Sequence, residues 1–283
     1  MSIHDGEVLV LSDEAQIHGV DFTSAPSPRK PITVASGRLR GTCFSLDTLE
    51  TLPDFAAFDA FLRRPGPWVA GFDFPFGLPR SGIEALGWPT DWASIVRHCA
   101  AMERAAFRAA LDADRIARPA GARYPHRATD HAARSHSPMK LVNPPVGLMF
   151  LTGAPRLLAA GVHIPGLQAG DAARTALEAY PGHLARALTR QSYKSDERRK
   201  QTPERRAARV EIVERLQRGD NPVGIALDAP TAMIAQLIDD GSGDLLDATL
   251  AAMQAAWAWL RRDRGFGLPE AIDPLEGWII ATA

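Results

Sequence analysis

Trp68-Val69-Ala70-Gly71-Phe72-Asp73 is an apolar run closed by a carboxylate, and Phe74-Pro75-Phe76-Gly77-Leu78-Pro79 breaks the chain directly after it. A continuous apolar stretch of strand length suits a strand covered on both faces, in the middle of a sheet. Proline and glycine immediately downstream stop the ladder, which places Asp73 at the carboxyl edge of that sheet, where open α/β proteins hold their ligands. A carboxylate ending such a run needs a partner, because desolvating a lone charge is costly.

Working upstream, residues 16–22 read as a strand with Asp21 near its end, halted by Thr23-Ser24-Ala25-Pro26-Ser27-Pro28. Ile32 and Val34, then Leu39, Gly41 and Cys43, alternate with their neighbours around Ser36-Gly37, which predicts a hairpin over 31–44 turning at that pair. Pro53-Asp54 offers a helix cap, followed at helical spacing by Phe55, Phe58, Phe61 and Leu62. Downstream, residues 80–173 form a long excursion, helical near 95–111 and rich in Pro, His and Arg through Pro145, in which no second core is evident. It reads as an insertion that shapes a site, because long loops in compact domains are usually functional. Thr175-Ala176-Leu177-Glu178-Ala179-Tyr180-Pro181 predicts another strand, residues 203–217 a basic helix, and Ser242 caps a long Ala-rich helix reaching Leu260. The order predicts one α/β domain over 16–283 behind an extension at 1–15, a mixed sheet with helices on both faces and the insertion between its fourth and fifth strands.

The chain has 283 residues, 46% hydrophobic and 23% charged, ample for a core without cross-links. No segment is long and apolar enough to suggest a membrane span, and the first seven residues, Met1-Ser2-Ile3-His4-Asp5-Gly6-Glu7, lack the basic start of a secretory leader, so a cytoplasmic location is expected. Cys43 and Cys99 fit no metal-ligand spacing. The net charge is only -1, yet residues 115–140 carry six Lys or Arg against one acid, and 188–209 carry eight against three. Separated basic stretches of this kind suit phosphate contacts, or solvated helix faces.

The acids converge in pattern. Asp21 and Asp73 end strands before broken turns, Glu178 precedes another, and Asp244 and Asp247 open a helix. Three residues apart at ~100° per residue, the last pair shares one helical face, continued by Ala248, Ala251 and Ala255, small enough to let the helix approach the sheet closely. Hard divalent cations prefer such carboxylate oxygens. A metal pair ~4 Å apart activates water and stabilises the leaving oxygen of a phosphodiester. Asp21, Asp73, Glu178, Asp244 and Asp247 are therefore the candidate catalytic residues.

Four motifs carry a family resemblance: Gly19-Val20-Asp21, Gly71-Phe72-Asp73 with Phe74 to Pro79, Glu178-Ala179-Tyr180-Pro181, and Asp244-Leu245-Leu246-Asp247-Ala248. Together, across about residues 16–260, the chain resembles domain-of-unknown-function family 429, a group of predicted ribonuclease H-like nucleases; Asp273-Pro274-Leu275-Glu276-Gly277-Trp278 is similar to a tail of some members. The resemblance implies a ribonuclease H-like fold and Mg²⁺ or Mn²⁺ bound by Asp21, Asp73, Asp244 and Asp247.

Three functions stand as expectations. The first is a metal-dependent nuclease or phosphodiesterase, with nucleic acid as partner and Arg123, His126, Arg127, Arg198, Arg199 and Lys200 as contacts to it. The second is a non-catalytic nucleic-acid- or protein-binding module, whose binding survives chelation and follows salt. The third is an actin-like or sugar-kinase-like phosphotransferase, disfavoured because Asp21-Phe22-Thr23-Ser24 lacks the glycine of a phosphate-cradling loop.

Overall fold

The computed structural model describes residues 15–282. Most of the extension expected at 1–15 lies outside them.

Seven strands form one mixed sheet: β1 (Ala15–Asp21), β2 (Ile32–Arg40), β3 (Cys43–Leu52), β4 (Trp68–Asp73), β5 (Val162–His163), β6 (Asp171–Glu178) and β7 (Ala226–Asp228), in the order β5-β6-β4-β1-β2-β3-β7. The pairs β1–β2 and β2–β3 are antiparallel, and all other neighbours are parallel. Apolar β4 is central, as its sequence requires.

The hairpin departs from expectation. Ser36-Gly37 is a bulge within the β2–β3 ladder, and the chain turns at Gly41-Thr42 instead, with Gly41 at φ 56°. Gly37 is there because a Cβ would stand 2.1 Å from the Ser45 carbonyl oxygen, so its small size serves a close strand approach and not a turn. The sixth strand begins earlier than the sequence suggested and ends on Glu178, while Pro181 opens the next helix. The two outer strands, β5 and β7, carry too few residues to leave a periodic signal.

Strand alternation sorts the core into two layers. On one face, Ile17, Val69 and Leu177 pack against α7 (Pro181–Leu188), α8 (Pro203–Gln217) and the central α10 (Asp244–Trp259). On the other, Val20, Phe72 and Ala176 meet α1 (Phe55–Leu62) and the helices of the long excursion. These are α2 (Arg80–Ala85), α3 (Trp92–Ala100), α4 (Arg104–Ala117), α5 (Ala128–Ala133) and α6 (Val146–Ala160), so the excursion is far more regular than its sequence suggested. Its Ile95, Phe107, Leu148 and Phe150 are fully buried in that second layer, which explains why it shows no core of its own: it shares the sheet's. The remaining helix, α9 (Thr231–Asp239), follows β7. Among the described residues no helix is long and apolar enough to cross a membrane.

Asp54 caps α1 by accepting the Ala57 N–H at 2.8 Å, as the sequence indicated. The cap of α10 differs: Gly243, at φ 81°, is the N-cap, and the Asp240 carboxylate accepts the Leu245 N–H at 3.0 Å, while Ser242 hydrogen-bonds Asp240.

Candidate functional site

Asp21 and Asp73 are cross-strand partners in the parallel β1–β4 register, at the carboxyl ends of both strands. By alternation each shares the face of Gly19 and Gly71, the face covered by α10. The helix comes in close because nothing stands in its way. A Cβ on Gly19 would lie 2.0 Å from the Ala248 oxygen and 2.1 Å from the Ala252 nitrogen, and one on Gly71 2.5 Å from the Ala251 oxygen. Two glycines in the sheet facing an alanine stripe on the helix thus carry Asp247 down beside the two strand-end acids. On the opposite face, the Phe22 and Phe74 rings meet tilted at 45° with 4.5 Å between centroids, which packs the two strand tips together beneath the acids.

Asp247 is fully buried on the first turn of α10. Its Oδ1 accepts the Tyr193 hydroxyl at 2.5 Å, and its Oδ2 accepts the Lys194 ammonium. Asp244, one turn earlier, is half-buried. Lys30, anchored on Asp196 at 2.6 Å, adds positive charge toward Asp244 and Asp21.

Asp21, Asp73 and Asp244 all hold protons more tightly than ordinary carboxyls. Burial pushes Asp21 well above the usual carboxylate range, and the charges of Asp247 and Asp244 push it further, against the pull of Lys194. Asp73 is pushed up to about 7 by burial and then by Asp247. Asp244 is raised chiefly by burial, with Lys30 opposing. Lys194 is held well above its ordinary value by Asp247 although burial works against it, and Tyr193 is raised by burial and by the same carboxylate. The site therefore sets four carboxyls against two lysines, and Asp21 and Asp73 keep protons that ordinary carboxyls would already have lost.

Glu178 does not join this cluster. It pairs in register with Phe72 and not with Asp73, so it projects from the opposite face of the sheet. There Arg127 binds it through two hydrogen bonds of 2.6 and 2.8 Å, and the Phe76 N–H donates to it at 2.9 Å. Arg127, expected to touch nucleic acid, is instead only 2% exposed, and its guanidinium also holds Asp130 and the Glu276 carbonyl. This knot ties the excursion, β6 and the 273–278 tail together; Arg80 on Asp273 at 2.6 Å clasps the tail a second time.

A cleft of about 940 Å³ opens beside Asp73 and Lys194. Its rim carries Arg134 and His136 from the first basic segment and Arg190 from the second, together with Arg186. The two charged stretches thus meet at the cleft, which of the expected contacts only Arg127 lines, with its guanidinium already held by Glu178 and Asp130. Arg123 and His126 are exposed elsewhere on the excursion, His126 beside His131, and Arg198, Arg199 and Lys200 form an exposed short turn with Glu197; none of the five lines the cleft. Tyr193, Lys194, Lys30, Arg134 and Arg190 escaped the sequence reading because each lies in a polar segment, where side chains bound for the site look like those bound for solvent.

The donor set is all hard oxygen, the kind that suits Mg²⁺ or Mn²⁺ and disfavours softer ions. Among the described residues, however, no three acidic, imidazole or thiol groups stand together as a ready metal cage, with both Asp247 oxygens engaged by Tyr193 and Lys194. The residues fit a divalent cation by chemistry and by uncompensated charge, and Lys194 holds the carboxylate for which such an ion would compete.

Fold and site define a mixed α/β protein with a buried carboxylate cluster at the carboxyl edge of its sheet and a basic cleft beside it. The chain belongs to the family described as "Protein of unknown function (DUF429)", whose model matches residues 19–271. No curated protein and no solved structure matches it.

Proposed function

We propose that this protein is a divalent-metal-dependent nuclease or phosphodiesterase on a ribonuclease H-like scaffold, with α2 to α6 inserted between β4 and β5, a shorter insertion than the 80–173 expected because β5 and the start of β6 fall inside that range. The observation that carries the reading is the side-by-side register of Asp21 and Asp73 at their strand ends, with Asp247 on α10 near enough to raise the proton affinity of both. Groups whose environments shift them so far are rarely structural without a compensating partner.

Asp21, Asp73 and, on release from Lys194, Asp247 would hold the cation, with Asp244 oriented toward the same charge. Such an ion, when bound, supplies an activated water and stabilises the departing oxygen of a phosphodiester. The chain's own residues do the rest. Tyr193 fixes the Asp247 carboxylate by its hydroxyl, and Lys194, which holds the same carboxylate and lines the cleft, would direct its ammonium toward a substrate phosphate. Glu178 acts at a distance by anchoring Arg127 and, through the Phe76 N–H, the loop that follows Asp73.

Calorimetry with Mn²⁺, together with cleavage of DNA, RNA, junction and small phosphodiester substrates, tests the proposal. Binding and cleavage that are both lost in Asp21→Asn and Asp73→Asn are expected. A wild-type protein that neither binds Mn²⁺ nor cleaves any of these substrates refutes it.

A further inference from the structure

The cleft beside the acids has the chemistry of a binding site in its own right. Arg134 and Arg190 reach its rim from segments more than fifty positions apart; both are exposed, and among the described residues neither has a carboxylate partner. Most other arginines at this end of the molecule are spoken for: Arg127 by Glu178 and Asp130, and Arg186 by the Ala133 carbonyl at 2.6 Å and by the Tyr180 ring, over which its guanidinium sits at 5.2 Å. Two cations left without acids on one cleft are an anion site by simple charge balance. The same cleft is lined by the apolar side chains of Pro144, Val146 and Met149, each at least partly exposed. Cations at the rim and an apolar wall inside match a ligand that carries phosphates along one edge and a flat, weakly polar base on the other.

Size selects among such ligands. At about 940 Å³ the cleft is at the upper end of small-ligand sites, which span ~300–1,000 Å³, whereas specific duplex recognition spreads over ~1,000–2,500 Å² of open protein surface. We infer that this cleft binds a short single-stranded nucleic acid segment, its phosphates on Arg134 and Arg190 and a base against Val146 and Met149, so that the following phosphodiester is led to Asp73 and Lys194. The inference rests on the nuclease reading for the role of that last phosphodiester, but not for binding itself.

The test is fluorescence anisotropy with a fluorescein-labelled four-thymidine oligonucleotide and a labelled 20-base-pair duplex, in EDTA, on the full chain carrying Asp73→Asn to prevent cleavage and lessen repulsion. Arg134 sits at φ 51°, a backbone state asparagine tolerates, so the first variant is Arg134→Asn and the second Arg190→Ala. Each is expected to weaken the tetranucleotide by about ten-fold or more and to lower the salt slope by ~0.7. Arg199→Ala, exposed and away from the cleft, is expected to leave binding unchanged, and melting temperatures confirm that all three fold. Equal binding by the cleft variants, an equal loss in Arg199→Ala, or tighter binding of the duplex overturns the inference. Absence of tetranucleotide binding while the wild-type chain binds Mn²⁺ overturns the cleft alone; intact binding with no Mn²⁺ uptake and no cleavage supports the cleft and removes the nuclease reading.

Discussion

Replacing Asp73 by Asn is expected to stabilise the metal-free protein at alkaline pH. The Asp73 carboxyl is raised from an ordinary 3.8 to about 7, because ionising it exposes a desolvated charge to that of Asp247. A carboxyl with a folded-state pKa above its unfolded one binds its proton more tightly in the folded chain. Its stabilising contribution is thus complete below about pH 4 and lost as pH rises through about 7. Three units at ~1.36 kcal/mol each give an upper bound of about 4 kcal/mol for the cost of the ionised side chain. Asparagine keeps the shape and never carries the charge, so at pH 8 the variant is expected to gain about 2–4 kcal/mol, about 3–7 °C in melting temperature, and at pH 4 almost nothing. His18, pressed down to about 4 by burial beside Phe61 and Trp68, titrates over much of this range with the opposite sign. It does so in both proteins, so the difference between them reports Asp73 together with the repulsion it exerts on Asp21. Thermal melts in EDTA from pH 4 to 8.5 provide the measurement. A difference that is flat with pH, or a variant less stable than the parent at pH 8, refutes the claim that the cluster stores electrostatic repulsion. Addition of Mn²⁺ is expected to stabilise the parent at pH 8 and the variant much less, because the ion relieves the same repulsion.

Three further outcomes follow from the packing and the ion pairs. Gly19→Ala drives a methyl into the α10 backbone at Ala248 and Ala252, and is expected to lower stability by about 3 kcal/mol in urea titration and to weaken Mn²⁺ binding by moving Asp247 off Asp21; a neutral effect would mean the helix sits farther from the sheet. Arg127→Met leaves Glu178 and Asp130 buried without their cation and is expected to cost about 3–5 kcal/mol in the same titration, most of it recovered when Glu178→Gln and Asp130→Asn are added. Lys194→Met removes the ammonium from Asp247: the metal-free protein is expected to melt lower, and Mn²⁺, no longer competing with the ammonium, to bind tighter by calorimetry, so unchanged or weaker Mn²⁺ binding would assign Lys194 to the ion's support.

Local rules carried the sequence reading a long way. A buried apolar run ending in Asp73 needed only strand period and a chain break to be placed at a central strand's edge, and it stands there residue for residue. The Asp54 cap and the 203–217 helix were legible for the same reason, since caps and helical spacing are written in contiguous residues. Period two also contained the answer for Glu178, had its register been known: one residue of shift sends a strand's side chain to the other face, and register is a property of the pair. That is what only the tertiary structure decided. It joined Asp21 to Asp73 by register and lowered Asp247 onto them through Gly19 and Gly71. It also selected Lys194, Arg134 and Arg190, from among the many cations of the two basic stretches, to line one cleft. The types and approximate edges of the elements are local information. Which charges meet depends on how close two backbones approach, and that distance is set by residues far apart in the chain.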